Sequence, residues 1–188
     1  MFNKIKLRLF AISFVAIAVT LIMQSTLAYY STVGKATNVV TSGNIRLLIH
    51  ETTDGDKPFP EKGVYVVPGD VVSKKVTIEN DCDHPFYLRL KAVYGINSQE
   101  LSADECFKLN INNSDWTLHE GWYYYNGALQ PGEITPQIFS HVEIVGDKVD
   151  TSYIGKTLSL TVKAQAVQSD NNPITDDLVY TASGWPNA

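Results

Sequence analysis

Four histidines, His50, His84, His119 and His141, are the side chains here best suited to bind a metal or carry a proton near neutral pH. Zinc hydrolysis needs such ligands clustered, commonly as His-Glu-x-x-His on one helix face with the Glu as general base. These four are scattered. His119-Glu120 is followed by Gly121-Trp122-Tyr123, with no second histidine in reach. His141 and Glu143 share a strand face, and His84 stands near Asp81 and Asp83. A site assembled from different strands stays open beside the simpler reading of four surface histidines. No Gly-x-Ser-x-Gly elbow and no phosphate loop occurs. Glu51, Asp54 and Asp56 surround Gly55. Calcium favours such oxygen clusters, but the spacing is not that of an EF-hand, so a solvated acidic loop is the default. These residues predict no enzyme, no cofactor and no metal centre.

Two cysteines, Cys82 and Cys106, could oxidise outside a cell. A bridge between them would stabilise by about 3.5 kcal/mol on the chain-entropy argument. It requires Cα atoms within about 7 Å. Two small half-buried residues are the alternative. Trp116, Trp122, Tyr123, Tyr124 and Tyr125 form the densest aromatic stretch. An exposed row of this kind, with Trp116, Trp122, Tyr123 and Tyr125 as its candidate members, stacks sugars or a partner protein. Strand alternation sends Trp122 and Tyr124 one way and Tyr123 and Tyr125 the other, which would put half of it in a core.

The elements that must position these groups read as strands. Ile45, Leu47 and Ile49 alternate with more polar or exposed neighbours, as do Val76 and Ile78, the odd-even pattern Phe86 to Tyr94, Phe107 to Ile111, Val142 and Ile144, and Leu158 to Ala166. Each pattern predicts one face on a core and one in water. Turn formers separate them: Pro58-Phe59-Pro60, Pro68-Gly69-Asp70, Asn126-Gly127, Pro131-Gly132 and Gly146-Asp147. Asn126-Gly127 predicts a two-residue hairpin. Pro68-Gly69-Asp70 and Pro131-Gly132-Glu133 predict the same tight turn used twice, each with its acid toward solvent. Helical character is confined to Ser102-Ala103-Asp104-Glu105 and a short turn after Thr175-Asp176-Asp177. The prediction is an all-β chain, an antiparallel β-sandwich of jelly-roll kind over residues 44–188.

The beginning of the chain has a different grammar. Lys4, Lys6 and Arg8 precede a 15-residue run of apolar or small residues, Leu9 to Met23, and then Gln24-Ser25-Thr26-Leu27-Ala28. Charge, apolar core and small residues in that order predict a secretory signal peptide over residues 1–28, cut between Ala28 and Tyr29. A spanning helix wants about 20 apolar residues, so an uncleaved anchor is the lesser alternative, and the only membrane contact expected is through this segment. The three leader bases go with it, leaving 160 residues with 12 Lys and Arg against 20 Asp and Glu, a net charge of −8. Such a balance argues against nucleic acid and suits a secreted protein kept apart by like charge. A domain of this size buries about 68–70% of its unfolded surface and needs no disulfide framework.

Taken in order along the chain, several segments resemble the TasA/camelysin family of exported surface and biofilm-matrix proteins of Gram-positive bacteria. The leader runs into Thr26-Leu27-Ala28-Tyr29-Tyr30-Ser31, and then Thr41-Ser42-Gly43-Asn44-Ile45-Arg46-Leu47 resembles the family's first core strand. Val67-Pro68-Gly69-Asp70 followed by Val76-Thr77-Ile78-Glu79-Asn80, then Phe86-Tyr87-Leu88-Arg89-Leu90, are similar to its middle. Leu129-Gln130-Pro131-Gly132-Glu133-Ile134-Thr135 and Val162-Lys163-Ala164-Gln165-Ala166-Val167-Gln168 are similar to its end. The resemblance implies export through a SipW-type signal peptidase, a jelly-roll domain, and assembly into fibres or a surface coat of the matrix or cell wall. Camelysin-like members are classed as metallopeptidases, so that activity ranks third, behind a carbohydrate- or protein-binding surface module. Residues 29–43 supply the expected means of assembly. Tyr29, Tyr30, Val33, Val39 and Val40, with Thr and Ser between them and Lys35 as the one charge, make a strong β-former. Cleavage frees it to add to a neighbour's sheet, with pairing inside its own domain or a disordered terminus as the alternatives.

Overall fold

Two long strands organise the molecule. In the computed structural model, which describes residues 30–33, 36–38, 45–97, 99–101, 106–149, 153 and 155–186, Phe86–Ile96 pairs antiparallel with Thr157–Gln168 along its full length, from Ile96 opposite Leu158 to Phe86 opposite Gln168. In chain order the strands are β1 (Tyr30–Val33), β2 (Ala36–Asn38), β3 (Leu47–Thr52), β4 (Val64–Val66), β5 (Val71–Ser73), β6 (Lys75–Asn80), β7 (Phe86–Ile96), β8 (Gln99–Leu101), β9 (Phe107–Leu109), β10 (Trp116–His119), β11 (Trp122–Tyr125), β12 (His141–Ile144) and β13 (Thr157–Gln168). No α-helix occurs among the described residues. The chain is all-β, as its alternation predicts. The leader with Ala28 and Tyr29, the positions Val39 and Val40, and Ser102–Glu105 lie outside the described residues.

The largest sheet has eight strands. Its path is β10-β11-β7-β13-β1-β4, with β2 also on β13 and β8 on β7. Two smaller sheets are β5-β12-β9 and β3-β6. The stretch 133–139 stitches them together. It runs beside β6, with Thr135 N–H donating to Ile78 O (2.8 Å) and Ile138 N–H to Val76 O (3.0 Å), and then continues into β12. One buried cluster joins the layers: Leu47, Val76 and Ile78, Val142 and Ile144 from the small sheets meet Phe86, Leu88, Leu90, Leu158, Leu160 and Val162 from the large one. Each such Leu, Ile or Phe contributes about 1.5–3 kcal/mol by leaving water.

Three expectations need correction. Not every pairing is antiparallel: β1 and β2 both run parallel to β13. Parallel neighbours need a long intervening connection, and here it is nearly the whole chain. Next, β7 and β13 do not keep one face in water. Tyr87, Arg89, Gln165 and Val167 are buried along with Leu88, Leu90, Ala164 and Ala166, because the chain after β13 folds back over the outer face. Finally, the hairpin turn lies at Glu120-Gly121, not Asn126-Gly127. Glu120 (φ 48°) and Gly121 (φ 77°) supply the two left-handed residues between β10 and β11. That register sets Trp116 opposite Tyr125, and leaves Asn126 at the open end, where its N–H donates to Asp115 O (2.9 Å) and its side-chain oxygen accepts from the Thr117 hydroxyl (2.7 Å).

Candidate functional site

The first candidate is the seat of β1. β1 lies between β13 and β4. Ser31, Thr32 and Val33 stand opposite Thr157, Leu158 and Ser159 on one side. Tyr30, Ser31 and Thr32 stand opposite Val66, Tyr65 and Val64 on the other. Among the described residues β4 pairs with no other strand. Of the predicted assembly residues, Tyr30 and Val33 thus sit within this domain's own sheet. β4 is a sheet edge, and an edge strand offers backbone donors and acceptors to a further strand. Its Val66 is buried, while Tyr65 is 76% exposed and Val67 49%. Val71, just past the next turn, is 61% exposed.

That turn and its echo are built alike. Val67 N–H donates to the Asp70 carboxylate (2.8 Å), and Gln130 N–H to the Glu133 carboxylate (2.8 Å). Asp70 N–H returns to Val67 O (3.0 Å) and Glu133 N–H to Gln130 O (3.0 Å). Gly69 (φ 90°) and Gly132 (φ 74°) take the left-handed position. Each turn then clips onto a strand: Gly69 N–H donates to Ile144 O and Ile144 N–H to Asp70 O, as Gly132 N–H donates to Asn80 O and Asn80 N–H to Glu133 O. Each acid closes its turn through a backbone N–H while keeping contact with solvent, Glu133 exposed and Asp70 half-buried.

The second candidate is the aromatic face. The predicted exposed row is divided by the sheet. Trp116 is 1% exposed inside the main core, and Tyr123 and Tyr125 pack against that core. Trp122 is 6% exposed on the opposite side, in a second cluster with Tyr87, Tyr124, Val167, Val179 and Ala182. Burial of both tryptophans removes the flat platform that a sugar would stack on. At the centre of this second cluster is Arg89, 7% exposed. Its guanidinium lies 4.2 Å from the Trp122 ring centre and 4.9 Å from that of Trp185. It donates to Gln165 Oε1 from Nε (2.8 Å) and Nη2 (2.6 Å), to the Tyr124 hydroxyl (3.0 Å) and to Pro186 O (2.7 Å). The register explains this, since Arg89 stands between Tyr124 and Gln165 on neighbouring strands. His119 stacks on Tyr180 (4.0 Å, 10°), fastening the C-terminal stretch further.

The groups suited to chemistry are dispersed. His50 contacts Glu79 (2.7 Å), His84 lies 3.9 Å from Asp170, and His141 Nδ1 contacts the Ser140 hydroxyl (2.8 Å). Among the described residues no three His, Cys, Asp or Glu side chains converge as metal ligands. The acidic loop is split: Asp54 accepts from the Ser73 hydroxyl, Asp56 faces Lys75, and Glu51 turns inward to Lys74. The weighed disulfide is absent, for both cysteines are free. Cys82 Sγ is engaged with the Arg46 backbone (2.7 and 3.0 Å), and Cys106 Sγ with the Tyr153 hydroxyl (3.5 Å). Burial lowers the Lys74 ammonium pKa, against the pull of Glu51. Burial, then Glu133 and Asp115, raise that of the Tyr125 phenol.

Compared with known proteins, the chain matches no family model, no curated protein and no solved structure. Sequence reasoning missed Arg89 and Lys74 as buried charges. Arg89 carried no local signal, because the Trp185 and Pro186 that cover it lie far along the chain. Lys74 carried none, because its apolar surroundings come from Phe59 and from other strands.

Proposed function

We propose that this is an exported structural protein of a cell surface or extracellular matrix that assembles by strand addition. The observation that carries the reading is the seat of β1. The strand nearest the leader completes the largest sheet, and among the described residues β4 joins that sheet only through it. A seat that accepts β1 from its own chain accepts the same strand, in the same register, from a neighbour. Head-to-tail exchange of this kind gives filaments where its rotation does not close into a ring. The exposed Tyr65 on β4 and Val67 just after it, the leader grammar, and the resemblance to TasA/camelysin proteins support the same reading. It assigns no catalysis to the chain.

Electron microscopy of the protein beginning at Tyr29 tests it. Filaments are expected. A chain lacking residues 29–40 is expected to form none, and to bind a synthetic peptide of residues 29–40 in a one-to-one complex. Filaments unchanged by the truncation would refute the reading.

A further inference from the structure

Lys74 sits at the bend between β5 and β6, with 3% of its side chain exposed, and its Nζ is 2.9 Å from Glu51 Oε2, whose side chain is 12% exposed. The Phe59 ring centre lies 4.3 Å from the same nitrogen. The contact lacks the angles of a hydrogen bond: neither Lys74 Nζ nor Glu51 Oε1 has a hydrogen-bond partner among the described residues. Both backbones are pinned. Lys74 N–H donates to Ser140 O (3.0 Å), and Glu51 O accepts from Phe59 N–H (2.9 Å). A buried ion pair with unfilled hydrogen-bond capacity is a costly arrangement, because desolvation opposes both charges.

We propose that Lys74 and Glu51 join through their side chains as an intramolecular amide, formed by the folded chain itself. Condensation needs the amine in its neutral form, with one proton passed from Nζ to the carboxylate, and burial of Lys74 lowers its ammonium pKa in that direction. The amine lone pair then forms the Nζ–Cδ bond. A Cδ–O bond breaks, and a second nitrogen proton departs with the hydroxyl as water. Ammonium and carboxylate become one amide and one water, with no oxidant or cofactor. Fixed neighbours of this kind react as though present on the order of 10⁵ M or more, which is what drives condensation in water. Phe59 and the surrounding core keep water from reversing it. The bond would tie β3 to the β5–β6 bend, doing for a chain with free cysteines what a disulfide does elsewhere. It does not depend on filament formation.

Intact-mass measurement of the purified protein, followed by proteolysis and fragment sequencing, decides the matter. The expected mass is one water below that calculated from the chain's own first residue, with a branched fragment containing both Glu51 and Lys74. Glu51→Ala and Lys74→Met chains are each expected to regain the full mass. The unmodified chain decides even where a variant fails to fold. Full mass in the unmodified chain overturns the proposal. So does a water lost from an unbranched fragment, as a succinimide at Asp54-Gly55 would give.

Discussion

Among the described residues, Arg89 is a charge held without a carboxylate. Two indole faces and neutral oxygens do the work of a counter-ion, through attraction to the ring quadrupoles and through charge-assisted hydrogen bonds. Truncating it removes these contacts and leaves Gln165 Oε1 and Pro186 O short of donors. Arg89→Ala is expected to lower unfolding stability by about 3 kcal/mol, measured by denaturant titration. Arg89→Lys is expected to restore little, since an ammonium cannot span Gln165, Tyr124 and Pro186 with one planar fork. Alternation alone marks Arg89 as a solvent-facing residue, and within β7 that is sound. What buries it is Trp185 and Pro186, which return from far along the chain, so no local pattern could reveal the cage.

At the scale of elements, the paired Pro-Gly-acid turns are anchors between strands as well as reversals of direction. Asp70→Ala or Glu133→Ala removes one charge-assisted bond to a backbone N–H and is expected to cost about 1 kcal/mol. Gly132→Ala meets no atom within 4 Å of the added Cβ, so its expected cost, about 1–2 kcal/mol, is purely that of a left-handed backbone. Thermal unfolding of the three single variants, and of Asp70→Ala combined with Glu133→Ala, checks both the sizes and their additivity. The strands themselves were legible wherever apolar residues fall at every second position, as in Val76 and Ile78 or Leu158 to Ala166. The partner of each strand was not. Asn126-Gly127 is the stronger turn dipeptide in isolation, but the short link at Glu120-Gly121 and the Trp116–Tyr125 ring contact (5.4 Å) decide the hairpin. The parallel seating of β1 and β2 was equally hidden, because it depends on residues at opposite ends of the chain.

For the whole molecule, the residues after position 28 carry a net charge of −8, which sets copies against one another before any edge can pair. The screening length falls from about 10 Å at 0.1 M salt to about 3 Å at 1 M. Filament growth is therefore expected to be faster at 1 M, followed by light scattering. Slower growth at high salt would instead indicate that attraction between opposite charges brings the copies together. The topology adds a kinetic side to this. A chain delivered N-terminus first exposes β1 early, but β13, which must receive it, comes out close to last, and β4 waits on β1. The largest sheet is thus unable to close until nearly all of the chain is available. Were the chain exported as proposed, that built-in delay would keep the polypeptide threadable until most of it had crossed.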